Sequence, residues 1–326
     1  MAEERNKIKS YAIEAEGLVK DFSGYRALDS LSFAVHRGSI HGFLGPNGAG
    51  KTTAIKIILG LISPTSGRAK VLGEPLSFGR KQNFLQHVNY LPQDPVFPEG
   101  LTGAEALSLV ANIYKLDRRK SRKRISRLLD YLQLSEAARR RVGAYSRGMQ
   151  QRLGLAAVLL TEPQLLILDE PLSALDPEGR RKVLDLVDRL RGRATVFFSS
   201  HILADVEKVC DHITIIDRGK KLLDAETREL LNRYAMEQYL VTVKPEQVKQ
   251  AATIIQNNSA VRDVTMQLEK LLIVSKPGKS VAMAEELLPE LIGQGITVTE
   301  FMQNRTNLED AFFKILDTNH RAEVVK

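Results

Sequence analysis

One short segment has the residue types and spacing of a loop that binds phosphate. The pattern G-x-x-x-x-G-K-[ST] is met by Gly45-Pro-Asn-Gly-Ala-Gly-Lys51-Thr52. Glycines let the backbone curl so that successive N–H groups point at phosphate oxygens, and a following helix adds the positive end of its dipole. Lys51 then reaches the β- and γ-phosphates, and Thr52 ligates Mg²⁺. The residues expected to hold a nucleotide are Gly45, Pro46, Asn47, Gly48, Ala49, Gly50, Lys51, Thr52 and Thr53.

Two adjacent carboxylates supply the chemistry that such a loop needs for hydrolysis. Asp169 and Glu170 follow the apolar run 165–168, which predicts a strand buried on both faces. Carboxylates at the carboxyl end of such a strand lie where open α/β sheets bind their ligands. We expect Asp169 to hold Mg²⁺, through Thr52 or through water, and Glu170 to polarise the attacking water. Because metabolite kinases rarely follow such a pair with a proline, Pro171 favours hydrolysis over transfer to a second substrate.

Further polar residues stand at strand ends and helix starts between and after these motifs. They are, in chain order, Gln93, Ser146, Gly148, Asp176 and His201. Each of these features is common by itself: a histidine at a strand end is more often structural, and a Ser-x-Gly usually marks only a helix N-terminus. It is their order and spacing relative to the phosphate loop that point to one protein family.

Over about residues 11–233 these motifs resemble an ATP-binding cassette (ABC) ATPase, the motor subunit of transporters. The resemblance makes residues 45–53 the Walker A loop, Asp169 with Glu170 the Walker B pair, and residues 146–150 the signature. It makes Gln93 the Q-loop glutamine, Asp176 part of the D-loop and His201 the switch histidine. The catalytic residues that it implies are Glu170, His201, Gln93 and Lys51, and the Mg²⁺ ligands are Thr52, Gln93 and Asp169.

We expect the adenine ring of ATP to stack on an aromatic side chain near the start of the cassette. Phe22 occupies the place where the family stacks an aromatic ring on adenine. Tyr25 is the rival candidate, and a plain core aromatic is the remaining interpretation of Phe22.

The resemblance also implies two protein partners. In this family two copies sandwich two ATP molecules, so that Ser146 and Gly148 of one copy meet the γ-phosphate held by Lys51 of the other. A membrane permease docks on the helical insert and the Q-loop. We therefore expect a homodimer on the cytoplasmic face of the membrane, beneath an integral membrane subunit.

The signature departs from the commonest form of the family. Tyr145 replaces Leu, Arg147 replaces the first Gly, and Met149 replaces Gln. The positions of closest approach to phosphate, Ser146 and Gly148, are kept. Similar Ser-Arg-Gly-Met forms occur among bacterial exporter ATPases, so the signature is expected to function.

The predicted strands and helices that position these residues indicate an α/β fold with two domains. Residues 1–234 are expected to form a P-loop ABC ATPase core with a helical subdomain at about 94–150, and residues 235–326 an accessory domain. In the first domain, a buried strand is predicted at 40–44 before the phosphate loop and a strand at 195–198 before His201, and Thr102 with Glu105 has the spacing of a capping box at a helix start. In the second domain, strands are predicted at 238–243, 261–267, 271–275 and 296–302, and helices at 245–256, 280–292 and 308–316. The order β-α-β-β-α-β followed by a helix predicts a small α+β, ferredoxin-like domain. The closing segment 307–316 is similar to the tail of exporter cassettes for drugs, sodium and polysaccharides.

Composition excludes several classes of protein. The chain has 326 residues, 43% hydrophobic and 26% charged, with 22 Gly and 12 Pro. This is ordinary globular composition, which excludes disordered, collagen-like and low-complexity proteins. No apolar run approaches the roughly 18 residues of a spanning helix, and the start does not resemble a secretory signal. The single cysteine, Cys210, is expected in the core, and a reducing, cytoplasmic setting is the simplest interpretation.

The formal charge of +8 is concentrated before Ala235, since acidic residues outnumber basic ones by two after it. Residues 115–127 hold eight cations against Asp117 alone. Apolar residues from Ile125 to Leu132 follow helical spacing, so this is an amphipathic helix with a basic outer face. A solvated face is the simplest interpretation, and attraction to anionic lipid or a partner is the alternative. Nucleic acid is not expected, because the patch has no interleaved aromatic residues.

The sequence therefore predicts an ATP-binding and hydrolysing subunit of an ABC transporter, of exporter type. A soluble ABC ATPase in repair, assembly or regulation is the alternative. The single phosphate loop disfavours the translation type of soluble ATPase, which has two cassettes per chain. The absence of a long coiled coil disfavours the repair type. A nucleotide-dependent scaffold is disfavoured by Glu170 and His201.

Overall fold

Three sheets and their helices account for most of residues 11–79, 82–234, 238–276 and 278–304, which the computed structural model describes. The strands are β1 (Tyr11–Phe22), β2 (Tyr25–His36), β3 (Ile40–Leu44), β4 (Ser66–Val71), β5 (Glu74–Pro75), β6 (Val88–Leu91), β7 (Leu165–Asp169), β8 (Thr195–Ser200), β9 (His212–Asp217), β10 (Lys220–Glu226), β11 (Gln238–Val243), β12 (Val261–Gln267), β13 (Lys270–Ser275) and β14 (Val298–Asn304). The helices are α1 (Lys51–Ile58), α2 (Gly103–Ile113), α3 (Arg118–Tyr131), α4 (Arg147–Leu159), α5 (Pro177–Asp188), α6 (Leu203–Val209), α7 (Thr227–Tyr234), α8 (Val248–Asn257) and α9 (Ser280–Gly293).

The central sheet has the strand order β10-β9-β3-β8-β7-β6. All neighbours in it are parallel except β10, which runs antiparallel to β9. Strands β3, β7 and β8 are buried along their whole length, and their sequences are mainly apolar, as is usual for strands covered on both faces. Because β3, β7 and β8 are adjacent and parallel, their carboxyl ends meet at one edge of the sheet.

An antiparallel sheet of order β2-β1-β4-β5 packs against the central one. Three phenylalanine rings join the two sheets. Phe33 on β2 lies 5.1 Å from Phe43 on β3 and stacks at 5.7 Å on Phe197 of β8, measured between ring centroids. These rings belong to a cluster of buried apolar side chains that also includes the apolar face of α1. The core thus holds the first helix and the β3 and β8 strands rigidly behind the phosphate loop.

The predicted helical insert contains α2, α3 and the start of α4. Thr102 and Glu105 form the predicted capping box at the start of α2. Asp117 caps α3 by accepting a hydrogen bond from the amide of Lys120. The buried face of α3 carries Ile125 and Leu129, as the apolar spacing predicts.

The last sheet has the order β12-β13-β11-β14, with every neighbouring pair antiparallel. Helices α8 and α9 supply apolar side chains to a core of its own. The helix predicted over 245–256 begins instead as a 3-10 turn at Pro245–Gln247, and α8 starts at Val248. The strand predicted over 296–302 lies at 298–304, because the Gln247 side chain bonds the amide of Thr297 and the carbonyl of Gly295, outside the sheet. The helix predicted at 308–316 lies outside the described residues.

The chain divides into two compact units, residues 1–227 and 228–326. This division falls at the start of α7, whereas the sequence places the boundary after residue 234. Among the helices of the described residues, none has the length and apolar character needed to span a membrane. Cys210 is buried, and burial raises the pKa of its thiol, in keeping with the expected core position.

A buried histidine makes the first unit sensitive to acid. His41 lies on β3, with its Nε2 atom 2.8 Å from the hydroxyl of Thr214, while its Nδ1 atom has no hydrogen-bond partner. Burial, together with the nearby His212 and His36, lowers the pKa of His41 from its ordinary value of 6.5 to about 3. The folded protein therefore holds this ring neutral.

We predict that stability falls as pH falls from about 6.5 towards 3. In that window the unfolded chain takes up a proton at His41 and the folded chain does not, which removes about 2 kcal/mol of the free energy of unfolding by pH 5. His41→Gln should abolish this part of the difference between urea unfolding at pH 7.5 and at pH 5. His87→Gln, at an exposed position, is the control and should keep the wild-type difference. An unchanged pH dependence in His41→Gln would contradict the prediction.

Candidate active site

The phosphate loop connects the fully buried strand β3 to helix α1. Gly50 has a φ of +103° and Gly48 a φ of +82°, and a side chain is strained in such conformations. A Cβ atom at Gly50 would also lie 2.6 Å from the carbonyl oxygen of Ala27. At Gly48 nothing lies within 4 Å of that position, so the loop is open on this side. The glycines therefore shape the loop and leave it accessible.

The loop leaves a set of backbone donors unused. Gly50 is the N-cap of α1 and has no side chain with which to cap the helix. Within the described part of the chain, these amides donate to no protein acceptor: Gly48, Gly50, Lys51, Thr52 and Thr53. Convergent free N–H groups at the positive end of a helix bind anions. The geometry therefore suits the phosphate groups of a nucleotide.

Lys51 places a buried positive charge beside the loop. Its Nζ atom donates to the carbonyl oxygens of Gly45 at 2.7 Å and Pro46 at 3.2 Å. The same atom lies 3.2 Å from Oε1 of Glu170. Lys51 is only 6% exposed, so this pairing offsets the cost of burying its charge.

Asp169 ends β7 and is held by two hydroxyl groups. Thr52 donates to Oδ2 at 2.8 Å, and Ser199 of β8 donates to Oδ1 at 2.6 Å. The phenol of Tyr90 lies near this carboxylate, and burial first, and then the charge of Asp169, raise the pKa of Tyr90 to about 12. The oxygen atoms of Thr52 and Asp169 are of the kind that Mg²⁺ prefers, so this pair fits the metal that the sequence implies.

Glu170 follows directly and adopts a strained backbone conformation, with a φ of +48°. Its amide donates to the hydroxyl of Ser199 at 2.9 Å. Its Oε2 atom lies 2.8 Å from Nδ1 of His201, while the buried Oε1 atom has the ammonium group of Lys51, 3.2 Å away, as its ion-pair partner. A buried carboxylate oxygen with a free lone pair can accept the proton of a bound water molecule.

These groups line one cavity of about 440 Å³, which lies within the size range of small-molecule sites. Gln93 and His201, which the sequence analysis assigns to the site, belong to its wall. The full lining is Tyr25, Ala27, Asn47, Gly48, Ala49, Gly50, Lys51, Thr52, Thr53, Gln93, Glu170 and His201.

Several residues that the sequence assigns to nucleotide binding do not line this cavity. Phe22 lies opposite Tyr25 in the β1–β2 hairpin, and it is Tyr25 whose hydroxyl reaches the carbonyl of Gly48, at 3.4 Å. Ser146 caps α4 through the amide of Met149, at 3.3 Å. Gly148 packs so closely that a Cβ atom would lie 2.9 Å from the carbonyl oxygen of Ala174.

Asp176 and Arg147 are placed outside the cavity as well. Asp176 caps α5 by accepting from the amide of Gly179 at 2.9 Å. Arg147 forms an exposed ion pair with Asp94, at 2.6 Å, which links the signature to the residue after Gln93.

Sequence reasoning missed two residues of the site. Ser199 joins Asp169 to the amide of Glu170, and Tyr90 contacts the same carboxylate. The sequence held one signal for Ser199, which stands near the end of the predicted strand that precedes His201. In the sheet, that strand lies beside the strand that ends at Asp169.

A free-amide loop with a buried lysine, together with two carboxylates at the end of another parallel strand of the same sheet, defines a P-loop ATPase. The ABC transporter family matches residues 28–173. The chain is 36% identical over 304 residues to the ABC transporter ATP-binding protein YxlF of Bacillus subtilis, covering 93% of this chain and 99% of that protein. It is 34% identical over 309 residues to the bacitracin transport ATP-binding protein BcrA of Bacillus licheniformis, covering 94% and 98%.

A solved structure of an ATP-binding subunit of an ABC transporter superposes with a TM-score of 0.62 at 30% identity, over 68% of this chain and 93% of that one. The chain therefore belongs to the ABC transporter ATP-binding proteins. It is an ATP-hydrolysing subunit that powers a transporter, as predicted from the motifs.

We predict that Lys51→Ala abolishes ATP turnover. The substitution removes the mobile positive charge that the loop amides cannot replace and leaves Glu170 without its ion-pair partner. Phosphate release and binding of a fluorescent ATP analogue measure the effect. Lys56→Ala, at an exposed position on the same helix, is the matched control and should keep wild-type activity. Normal turnover in Lys51→Ala would refute the assignment of the site.

Ser199→Ala should lower kcat about tenfold or more, with a smaller effect on KM for ATP. The substitution leaves an oxygen of Asp169 and the amide of Glu170 unpaired, so both carboxylates lose their orientation. Steady-state kinetics give the two constants separately. Ser108→Ala on α2 is the control. If Ser199→Ala kept the wild-type kcat, Ser199 would not position the carboxylates.

Proposed function

We propose that this chain is the motor subunit of a bacterial ABC exporter and acts from the cytoplasmic face of the membrane, beneath a separate permease. The full-length similarity to BcrA, which is named for bacitracin transport, supports the exporter assignment. The motor function itself rests on the cavity that brings the phosphate loop, Glu170 and His201 together.

In this proposal residues 45–53 hold ATP. The free amides bind its phosphates, Lys51 pairs with the terminal phosphate groups, and Tyr25 lies where an aromatic ring can meet the base. Thr52, Gln93 and Asp169 are the proposed ligands of Mg²⁺. The metal would supply charge neutralisation at the β- and γ-phosphates.

Glu170 is the proposed general base. Its Oε1 atom, which forms the ion pair with Lys51, is the proposed acceptor for the proton of the attacking water, and the contact with His201 fixes Oε2. Ser199 holds the amide of Glu170, so the carboxylate is oriented before ATP binds.

A second copy of the chain completes the site in this proposal. Ser146, Gly148 and Asp176 were assigned to the nucleotide, yet none of them lines the cavity of its own chain. Ser146 uses its oxygen as the cap of α4 and keeps its hydroxyl proton free for a phosphate oxygen. A head-to-tail sandwich brings this hydroxyl and the helix N-terminus to the γ-phosphate held by Lys51 of the partner.

We also propose that residues 235–326 form a ferredoxin-like accessory domain, which follows a cassette of residues 1–234 in the chain. The order β12-β13-β11-β14, with antiparallel neighbours and two crossover helices, supports the domain type. Each phosphate, metal and water ligand proposed above lies in the cassette.

We expect Glu170→Gln to bind ATP but to hydrolyse it about 10² to 10⁴ times more slowly, since it removes a general base. Trapped ATP should then drive dimerisation, measured by sedimentation with and without ATP. The double variant Glu170→Gln, Lys51→Ala should stay monomeric because it does not hold the shared phosphate.

The contact across the dimer is tested by adding Ser146→Asp to Glu170→Gln. Aspartate preserves the cap of α4 but places a negative charge against the γ-phosphate. ATP binding should remain and the ATP-driven dimer should be lost, whereas Ser135→Asp, at an exposed loop position, should leave dimerisation intact. A Ser146→Asp variant that still dimerises with ATP would argue against the sandwich.

A further inference from the structure

Helix α3 carries a cluster of four cations that we call the basic row: Arg118, Arg119, Arg122 and Lys123. These four side chains alone line a surface cleft of about 530 Å³. The cleft contains no acidic group, so it forms a continuous positive surface. It is separate from the nucleotide cavity, with which it shares no residue.

The cations of the basic row lack partners, unlike other arginines of the chain. Within the part of the chain that the structure describes, none of the four has an ion pair or a side-chain hydrogen bond. Arg124 on the same helix pairs with Glu162, and Arg191 pairs with Asp188 and Asp211. The basic row is therefore available to an external anion.

The arrangement is unfavourable for the helix in isolation. Arg118 and Arg122 are four residues apart, as are Arg119 and Lys123, so like charges face each other one turn apart. The N-cap Asp117 lies at the start of α3, but no acidic residue follows it in the first turn, where the cations oppose the positive end of the helix dipole. A negatively charged surface over the row relieves both effects, since it attracts the cations.

Exposed apolar side chains lie at the end of α2, the helix that precedes the row in the chain. Ile113, the last residue of α2, is 67% exposed, and Leu109, one turn earlier, is 41% exposed. Four residues separate the end of α2 from the start of α3, and the two helices pack together as a hairpin. Cations beside exposed aliphatic side chains are typical of segments that bind membrane interfaces.

We propose that the basic row, with Ile113 beside it, binds the headgroups of anionic phospholipids, so that the α2–α3 hairpin contacts the membrane surface directly. Nucleic acid fits less well, because the row has no aromatic side chain on which a base can stack, and the hydroxyl of nearby Tyr114 is bonded to Asn89. This contact is additional to permease docking and does not depend on ATP hydrolysis.

The test is cosedimentation of the full-length protein with protein-free vesicles. One set of vesicles contains phosphatidylcholine alone, and the other also contains about 30% phosphatidylglycerol, an anionic lipid that gives the vesicle a negative surface potential. We expect binding only to the anionic vesicles, and its loss at high salt because salt screens exposed charges. Each basic residue near an anionic surface contributes roughly fivefold to partitioning. Replacing all four cations of the row by Gln should therefore weaken binding about a hundredfold or more.

The matched control replaces four exposed lysines of the second unit by Gln and so removes the same charge: Lys244, Lys249, Lys270 and Lys279. This control should bind anionic vesicles within a fewfold of wild type. Ile113→Gln should weaken binding severalfold at unchanged net charge. Basal ATPase activity of all variants should match wild type, which shows that they are folded.

Several results would overturn the proposal. They are an absence of binding to protein-free anionic vesicles, equal loss in the lysine control, or binding to phosphatidylcholine alone. Binding only when a permease is present in the vesicles would make a protein the ligand of the row. Equal competition by inorganic phosphate at matched ionic strength would reduce the row to a general anion site.

Discussion

Three buried charges, Lys51, Asp169 and Glu170, are the constraint on which the nucleotide site depends. A charge removed from water must be paired or hydrogen-bonded, and each of these three is. The partners come from different elements: α1 provides Lys51 and Thr52, β7 the carboxylates, and β8 Ser199. The site can therefore exist only where β3, β7 and β8 run parallel and end together, which the phenylalanine core behind them enforces.

The loop combines rigidity with unused binding capacity. Its glycines hold conformations that other residues avoid, while the uncapped start of α1 leaves several amides without an acceptor. In most helices a side chain satisfies such amides. Here an anionic ligand can do so without displacing a protein group, so the free energy of binding is not spent on breaking an existing cap.

The polar groups of the signature and the D-loop lie outside the cavity of their own chain. Ser146 and Asp176 each cap a helix, so both are oriented by backbone amides before any partner binds. In the proposed sandwich, this division lets a single chain hold a nucleotide while a second copy completes the site. The basic row of α3 adds a third surface of different character, defined by unpaired charge rather than by helix caps.

Local patterns in the chain were sufficient to predict the phosphate loop, the buried strands β3 and β7, the capping box at Thr102 and the order of elements in the second unit. Each of these depends on residues within one or two turns or on the periodicity of a single element. Ser199 as the bridge between Asp169 and Glu170, and Tyr25 rather than Phe22 in the cavity wall, required the folded structure. Those relations depend on strand register and on side chains about 30 residues apart, which no local pattern specifies, because packing among distant elements determines them.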